Sequence, residues 1–354
     1  MRPAAAGGSD RHYTSRDMSA TETAAHDVVL PEARMHVVMP TAPVTATIAG
    51  TRLCMKGKSA SFVRHVDIDV TGTPLEGSFR AGQSFGVIPE GTDAAGKPHK
   101  VRLYSLASPS WGEDGHGRII TTTPKRVLAE REPQTPKDDP TDHSLFVGVC
   151  SNYLCDRRVG DKVQVSGPNG KRFLLPTDPS AHDYLFLATG TGIAPFRGFA
   201  MELLKGPPEG SPAKAAWRRC PSTIHLVMGS PYSSDLLYDE LFRELAAAYP
   251  NFHYHTVISR EARPDGGRGE YAHQYIERRL DLFRPLLASP RTLIYVCGLA
   301  GMQVGLFQML AKQGLGEGYL TVHEEIAGLP PAEWTGEQIK RRVRSTHRCM
   351  LEVY

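Results

Sequence analysis

The chain changes its hydrophobic rhythm once, near residue 177, and that change limits what it can fold into more than any single motif does. From about Met39 to Pro176 the apolar residues come in short runs broken by Gly and Pro: FVRHVDIDV, QSFGVIP, RLYSLAS, RIITTTPKRV, LFVGVC and KVQVSGP. Short alternating runs separated by turn residues predict a small antiparallel barrel or sandwich. After Pro176, strand-like segments alternate with helical ones: YLFLATG then PFRGFAMELLK, TIHLVMGS then LLYDELFRELAAAY, TLIYVCG then MQVGLFQMLAKQG. That alternation predicts a parallel sheet covered by helices. The expected organisation is a flexible tail over residues 1–40, an antiparallel β-barrel over 41–177 and an α/β nucleotide-binding unit with a parallel sheet over 178–354. A cleft between two such units is a favoured place for cofactors to meet. The Pro-rich charged stretch from Glu130 to Asp142 is expected to be an exposed loop.

Length and charge are consistent with this division. A chain of 354 residues has room for two cores, since a domain takes roughly 100–200 residues. A net charge of +3 is too small for the concentrated positive field of a nucleic-acid binder. Cys54, Cys150, Cys155, Cys220, Cys297 and Cys349 include no CxxC pair and read as reduced thiols. The first residues lack the apolar core of a signal peptide, and Asp10, Asp17, Glu22 and Asp27 argue against a transit peptide. No apolar run reaches the roughly 18 residues that cross a bilayer. A cytoplasmic protein with no transmembrane segment is expected.

Three segments carry chemistry. In Arg102-Leu103-Tyr104-Ser105, strand alternation sends Arg102 and Tyr104 to one face and Leu103 and Ser105 to the other. A guanidinium can clamp a pyrophosphate, a phenol can lie on a flavin ring and a small hydroxyl can approach a reactive ring nitrogen. In Gly148 to Asp156, a glycine and small polar residues lead into a possible helix start that would present N–H groups to an anion. The spacing of Cys150 and Cys155 invites comparison with a plant-type iron–sulfur cluster, but the third ligand position holds Arg158, so no metal is expected. In Ala188-Thr189-Gly190-Thr191-Gly192-Ile193-Ala194-Pro195, an apolar strand runs into a glycine turn and a helix, an arrangement that lets backbone approach a phosphate closely. Pro195 stands where the third glycine of the full dinucleotide fingerprint would be, so an ordinary tight turn is the alternative.

Together with YVCGLAGM, the Ser259-Arg260-Glu261 run and the final Glu352-Val353-Tyr354, these segments give six ordered matches. The sequence resembles the plant-type ferredoxin–NADP reductase family from roughly Pro43 onward. The resemblance implies an enzyme that binds FAD and NADP and passes single electrons to or from a separate ferredoxin or flavodoxin. It implies that Arg102 holds the FAD pyrophosphate, Tyr104 lies against the isoalloxazine and Ser105 bonds near flavin N5. Val149, Cys150 and Ser151 would contact FAD, Thr191 would meet the dinucleotide, and Cys297 and Glu352 would flank the nicotinamide. Tyr354 would cover the other flavin face, and Ser105, Cys297, Glu352 and Tyr354 form the implied catalytic set. Leu103, Thr123, Ser230, Pro231, Gly298 and Leu299 complete the cofactor-binding positions.

The implied preference for NADP rests on Ser259, Arg260 and Tyr271, with Lys125 drawing in the same dinucleotide. Three positions depart from the family pattern. Ala129 stands where chloroplast members carry a tyrosine against the FAD adenine. Gly269 replaces a lysine whose charge Arg268 would supply, and His273 replaces a glutamine. Basic residues at Lys56, Lys58 and Arg64, and at Lys340, Arg341, Arg342, Arg344 and Arg348, offer a docking surface for an acidic carrier, with an ordinary solvated face as the alternative. Two rival readings use the same residues: the NADPH-dependent reductase component of an oxygenase or epoxidase system, and a noncatalytic dinucleotide sensor.

Overall fold

The computed structural model describes residues 27–55, 57–59, 61–130 and 144–354. Six strands of the first half form one antiparallel sheet: β1 (Val44–Leu53), β2 (Arg64–Asp69), β3 (Ser84–Ile88), β4 (Arg102–Ser105), β5 (Ile119–Thr122) and β8 (Lys162–Asn169), in the order β4-β3-β8-β1-β2-β5. Its two edges meet again, because the Ala107 N–H donates to Thr121 O at 2.7 Å and Thr122 Oγ1 donates to Ser105 O at 2.9 Å. That closure makes the sheet a barrel, filled by Ile48, Val66, Ile68, Phe85, Val87, Val163 and Val165. A short hairpin, β6 (Leu128–Glu130) with β7 (Leu145–Val147), stands beside it and leads into α1 (Val149–Asp156). The expected loop after Glu130 lies outside the described residues.

The second half is a five-stranded parallel sheet in the order β11-β10-β9-β12-β15. Its strands are β9 (Asp183–Thr189), β10 (Ile224–Ser230), β11 (Phe252–Ile258), β12 (Thr292–Gly298) and β15 (Cys349–Val353). A small pair, β13 (Leu320–Val322) and β14 (Val343–Ser345), lies apart from it. In β9 the side chains divide between faces, Tyr184, Phe186 and Ala188 to one core and Leu185 and Leu187 to the other. A strand buried on both faces reads as a continuous apolar run, as YLFLA does. One face is covered by α2 (Ala194–Ala200) and α3 (Asp239–Ala248), the other by α4 (Ala272–Arg278), α5 (Leu280–Ala288) and α6 (Ala300–Lys312). No helix among the described residues is long and apolar enough to cross a membrane.

Part of the expected tail instead runs along the protein. Residues 1–26 lie outside the described residues, but Val28 and Leu30 pack against the core of the parallel sheet. The Thr177 N–H donates to Val29 O at 2.8 Å. Farther on, the side chains of Arg80 and Gln83 donate to Glu32 O and Arg34 O, and the Val38 N–H donates to Gly167 O at 2.9 Å. The segment is held mainly through its backbone, which explains why no side-chain periodicity announced it.

Candidate functional site

The barrel brings two adjacent segments to the site. On edge strand β4, Arg102 and Leu103 are exposed, Leu103 by 57%, while Tyr104 and Ser105 are half-buried. The Tyr104 hydroxyl and the Cys150 thiol lie close together, which brings β4 against the first turn of α1. Burial pushes the Cys150 thiol up to about 11, and the buried Cys155 thiol likewise. These two thiols face different carbonyls, Val87 O and Pro124 O, so they act as neutral packing groups. Before the helix, Gly148 O accepts from Asn152 Nδ2 at 2.7 Å and Val149 is exposed. Thr123 is buried just past β5, and Lys125 lies exposed, bridged to Val63 through its backbone. Leu103 and Val149 are apolar side chains left open to water beside an exposed guanidinium, a fitting surface for a flat ring carrying phosphates. The FAD implied by the sequence fits these residues.

The parallel sheet contributes the ends of β9, β12 and β15. The loop after β9 lies directly on β12, because a Cβ on Gly192 would sit 2.1 Å from Cys297 O. At Gly298 the backbone adopts φ +137° and a Cβ would meet Thr189 Oγ1 at 2.2 Å, so the turn requires glycine. Thr189 Oγ1 also accepts from the Leu299 N–H at 2.9 Å. Leu299 itself is exposed.

Here the two halves touch. Cys297, fully buried, has its thiol close to the Ser105 side chain from the barrel. Burial, reinforced by the Glu352 carboxylate, pushes the Cys297 thiol far above its ordinary range and keeps it neutral. Register pairs Cys297 with Glu352 across β12 and β15. Burial also raises the Glu352 carboxyl, which borders a cavity of about 410 Å³ shared with Arg172, Phe173 and Leu30. Tyr354 is exposed and its hydroxyl lies 2.7 Å from Thr191 Oγ1.

The ends of β10 and β11 form a second cluster. The Ser259 N–H donates to Ser230 O at 2.9 Å and the Arg260 N–H to Pro231 O at 3.0 Å. Gly269 lies against Ser259, where a Cβ would approach the carbonyl oxygen to 2.5 Å, so Arg268 and Tyr271 come to the same place. Arg260, Arg268 and Tyr271 are exposed, and the two arginines form no ion pair with the described residues. Unpaired guanidiniums beside a serine hydroxyl suit the 2′-phosphate of NADP. The Tyr271 and His273 rings lie parallel at 6.0 Å.

Two expectations meet different outcomes. Ala129 pairs directly with Phe146 across the β6–β7 hairpin, and Phe146 is 51% exposed. Of the basic residues considered for docking, Arg348 turns inward, donating to Ser289 O and Thr292 O and lying 4.6 Å from the Tyr319 ring centre. The Thr292 carbonyl, buried at the start of β12, needs a donor, which the arginine supplies. Arg341 and Arg342 pair with Glu337 and Glu325, and Lys56 lies outside the described residues.

Sequence reasoning missed Arg197 and Glu113. The buried Arg197 guanidinium on α2 crosses to the barrel and holds both carboxylate oxygens of Glu113. Arg197 sits inside the motif GTGIAPFRGF, and a charge amid apolar helix positions was the available signal.

Residues 186–306 match the family described as the oxidoreductase NAD-binding domain. Over 295 residues the chain is 36% identical to a ferredoxin–NADP reductase of Picosynechococcus, an alignment covering 82% of this chain and 65% of that protein, just under two thirds of its length. A ferredoxin–NADP reductase of Spirulina is also 36% identical over 295 residues, covering 82% of this chain and 88% of the relative. The chloroplastic embryo isozyme of rice is 36% identical over 285 residues, covering 79% and 71%. Among solved structures, a Plasmodium falciparum ferredoxin–NADP+ reductase with 2′P-AMP superposes with a TM-score of 0.63 at 19% identity, over 90% of this chain and 99% of that one; this likeness concerns the fold.

Proposed function

The chain belongs to the ferredoxin–NADP reductase family, and from that premise we propose that it is an FAD-dependent reductase moving a hydride between NADP(H) and FAD and single electrons to or from ferredoxin. The observation that carries this reading is the convergence of Cys297, paired with Glu352 across β12 and β15, with Ser105 of the barrel within reach of its thiol and with Tyr354 held at Thr191. Neither the oxygenase-component reading nor the sensor reading is favoured by the relatives, which are reductases by name.

Bound FAD supplies the exchange between a two-electron hydride and single electrons. Arg102 would hold its pyrophosphate, with Tyr104, Leu103 and Val149 against the rings and Ser151 at the turn into α1. Thr123 would steady the same region from just past β5. Ser230, Pro231, Ser259, Arg260, Arg268 and Tyr271 would take the phosphorylated adenosine of NADP, with Lys125 drawing it in. Thr191, Gly298 and Leu299 would meet the nicotinamide end. Ser105 and Glu352 would hold and move a proton at the reacting edge, and the neutral Cys297 thiol would exclude water there.

Tyr354 would yield its place as the nicotinamide arrives. We take the boundary between the FAD-binding and NADP-binding units at 177/178. A flavodoxin is a second fitting carrier, and a cytoplasmic location accords with six free cysteines.

The test is direct. Purified protein should carry flavin absorbance, and NADPH should bleach it faster than NADH at equal concentration. A colourless protein that takes up no added FAD would overturn the reading.

A further inference from the structure

We propose that Arg197 is a positioning residue that sets how far the barrel side of the site stands from the nicotinamide side. This rests on the reductase reading above, because it concerns the alignment that hydride transfer needs.

Arg197 lies six residues after Thr191, on the helix that follows the glycine loop. Only 8% of it is exposed. Its Nη1 donates to Ala107 O at 2.9 Å and also to Glu113, and its Nη2 donates to Glu113 Oε2 at 2.9 Å. Ala107 stands two residues beyond Ser105, at the point where the barrel closes onto Thr121. The guanidinium therefore reaches from the nicotinamide loop's helix to the exit of the strand carrying Ser105.

Neighbouring contacts leave little play in this link. At Gly198 a Cβ would sit 2.6 Å from Ser108 O, so consecutive residues of α2 touch consecutive residues of the barrel. The Tyr238 ring lies 5.5 Å from the Arg197 guanidinium carbon, and its hydroxyl is 2.9 Å from His65 Nδ1 on β2. His65 Nε2 in turn lies 2.9 Å from Asp67. Among the described residues His65, Asp67 and Glu113 form a group whose donors could gather round a cation, but the Arg197 guanidinium already engages both Glu113 oxygens. An arginine suits this place because its planar fork holds a carboxylate at two points while a further N–H serves a carbonyl. Lysine offers a point ammonium on a flexible stem and lacks that planar fork.

A misplacement of about 1 Å between reacting groups can cost roughly a hundredfold in rate. Arg197→Met should therefore slow NADPH-driven flavin bleaching about a hundredfold. Affinity for 2′-phospho-AMP, which samples only the distant phosphate cluster, should stay within about twofold of the parent. Glu113→Gln keeps the Ala107 bond and is expected to lose about tenfold, and Arg197→Lys should fall between the two, on the same geometric argument. In the flavin-free chain, hydrogen exchange at residues 105–110 should quicken at least about tenfold in Arg197→Met while β9 amides stay protected, which reports local opening without any chemistry.

Bleaching at the parent rate in both Arg197→Met and Glu113→Gln overturns the proposal. So does unchanged exchange at 105–110, or a loss confined to 2′-phospho-AMP binding. Global unfolding of Arg197→Met transfers the decision to Glu113→Gln, whose neutral side chain has the same shape. Failure of the parent protein to bind flavin would sink the reductase reading, while the exchange comparison would still decide whether Arg197 joins the two halves.

Discussion

The hydroxyls of Thr191 and Tyr354 lie 2.7 Å apart, tying an exposed aromatic ring to the loop after β9. A neutral hydrogen bond of this kind contributes about 0.5–1.5 kcal/mol. Anything that takes the ring's place must break it.

Thr191→Val should therefore ease displacement of Tyr354 and tighten NADP+ binding by roughly two- to tenfold, the equivalent of that hydrogen bond. Thr191→Ser should behave as the parent. Difference-spectrum titration measures the change, and weaker binding in Thr191→Val would show that Thr191 matters more as a ligand contact than as a tether.

Burial holds the Glu352 carboxyl above its usual value of 4.5. The folded chain thus binds this proton more tightly than the unfolded chain. The associated stability is complete below the unfolded value and fades as pH rises through the folded one. Glu352→Gln never ionises, so it should melt above the parent near pH 8, with the gap closing toward pH 4. Flavin reduction by NADPH should drop by about a hundredfold or more if the carboxyl moves a proton. A melting gap that widens toward pH 4 would reverse the assignment.

Arg260 is exposed beside Ser259 and forms no ion pair among the described residues, and a hydrogen bond to a charged group contributes about 1.5–3 kcal/mol. Arg260→Ala should raise KM for NADPH roughly ten- to hundredfold and leave that for NADH nearly unchanged. Equal losses with both nucleotides would point to damage of the fold at the end of β11.

Phe146 faces water directly across from Ala129, offering a ring where the smaller residue has none. If it meets the FAD adenine, Phe146→Ala should weaken FAD roughly two- to tenfold, as for other aromatic pairs, and leave FMN, which lacks adenine, unaffected. Adding Ala129→Tyr should restore the lost affinity. Fluorescence titration of the flavin-free chain separates these outcomes.

The sequence disclosed the two architectures because doubly buried strands read as short continuous apolar runs, as YLFLA does, and amphipathic helices repeat their apolar positions at a helical period, as LLYDELFRELAAAY does. Strand β1 escaped notice because its register shifts between Ile48 and Gly50, where the alternation is interrupted. Ser105, Cys297 and Glu352 could be named from motif resemblance, but their meeting depends on how the barrel packs against the parallel sheet. The Arg197–Glu113 pair spans 84 residues and leaves no local pattern. Arg348 looked like one more surface charge, since a run of basic residues does not say which member turns inward to serve buried carbonyls.

The backbone between Val28 and Val38 works as a belt fastened at both ends, to Thr177 and the parallel-sheet core on one side and to Gly167 in the barrel on the other. A gene shortened to its first strand for crystallisation would discard that belt and bare the floor of the cavity beside Glu352, which Val28 and Leu30 help to line. Cloning boundaries that respect it begin no later than Asp27.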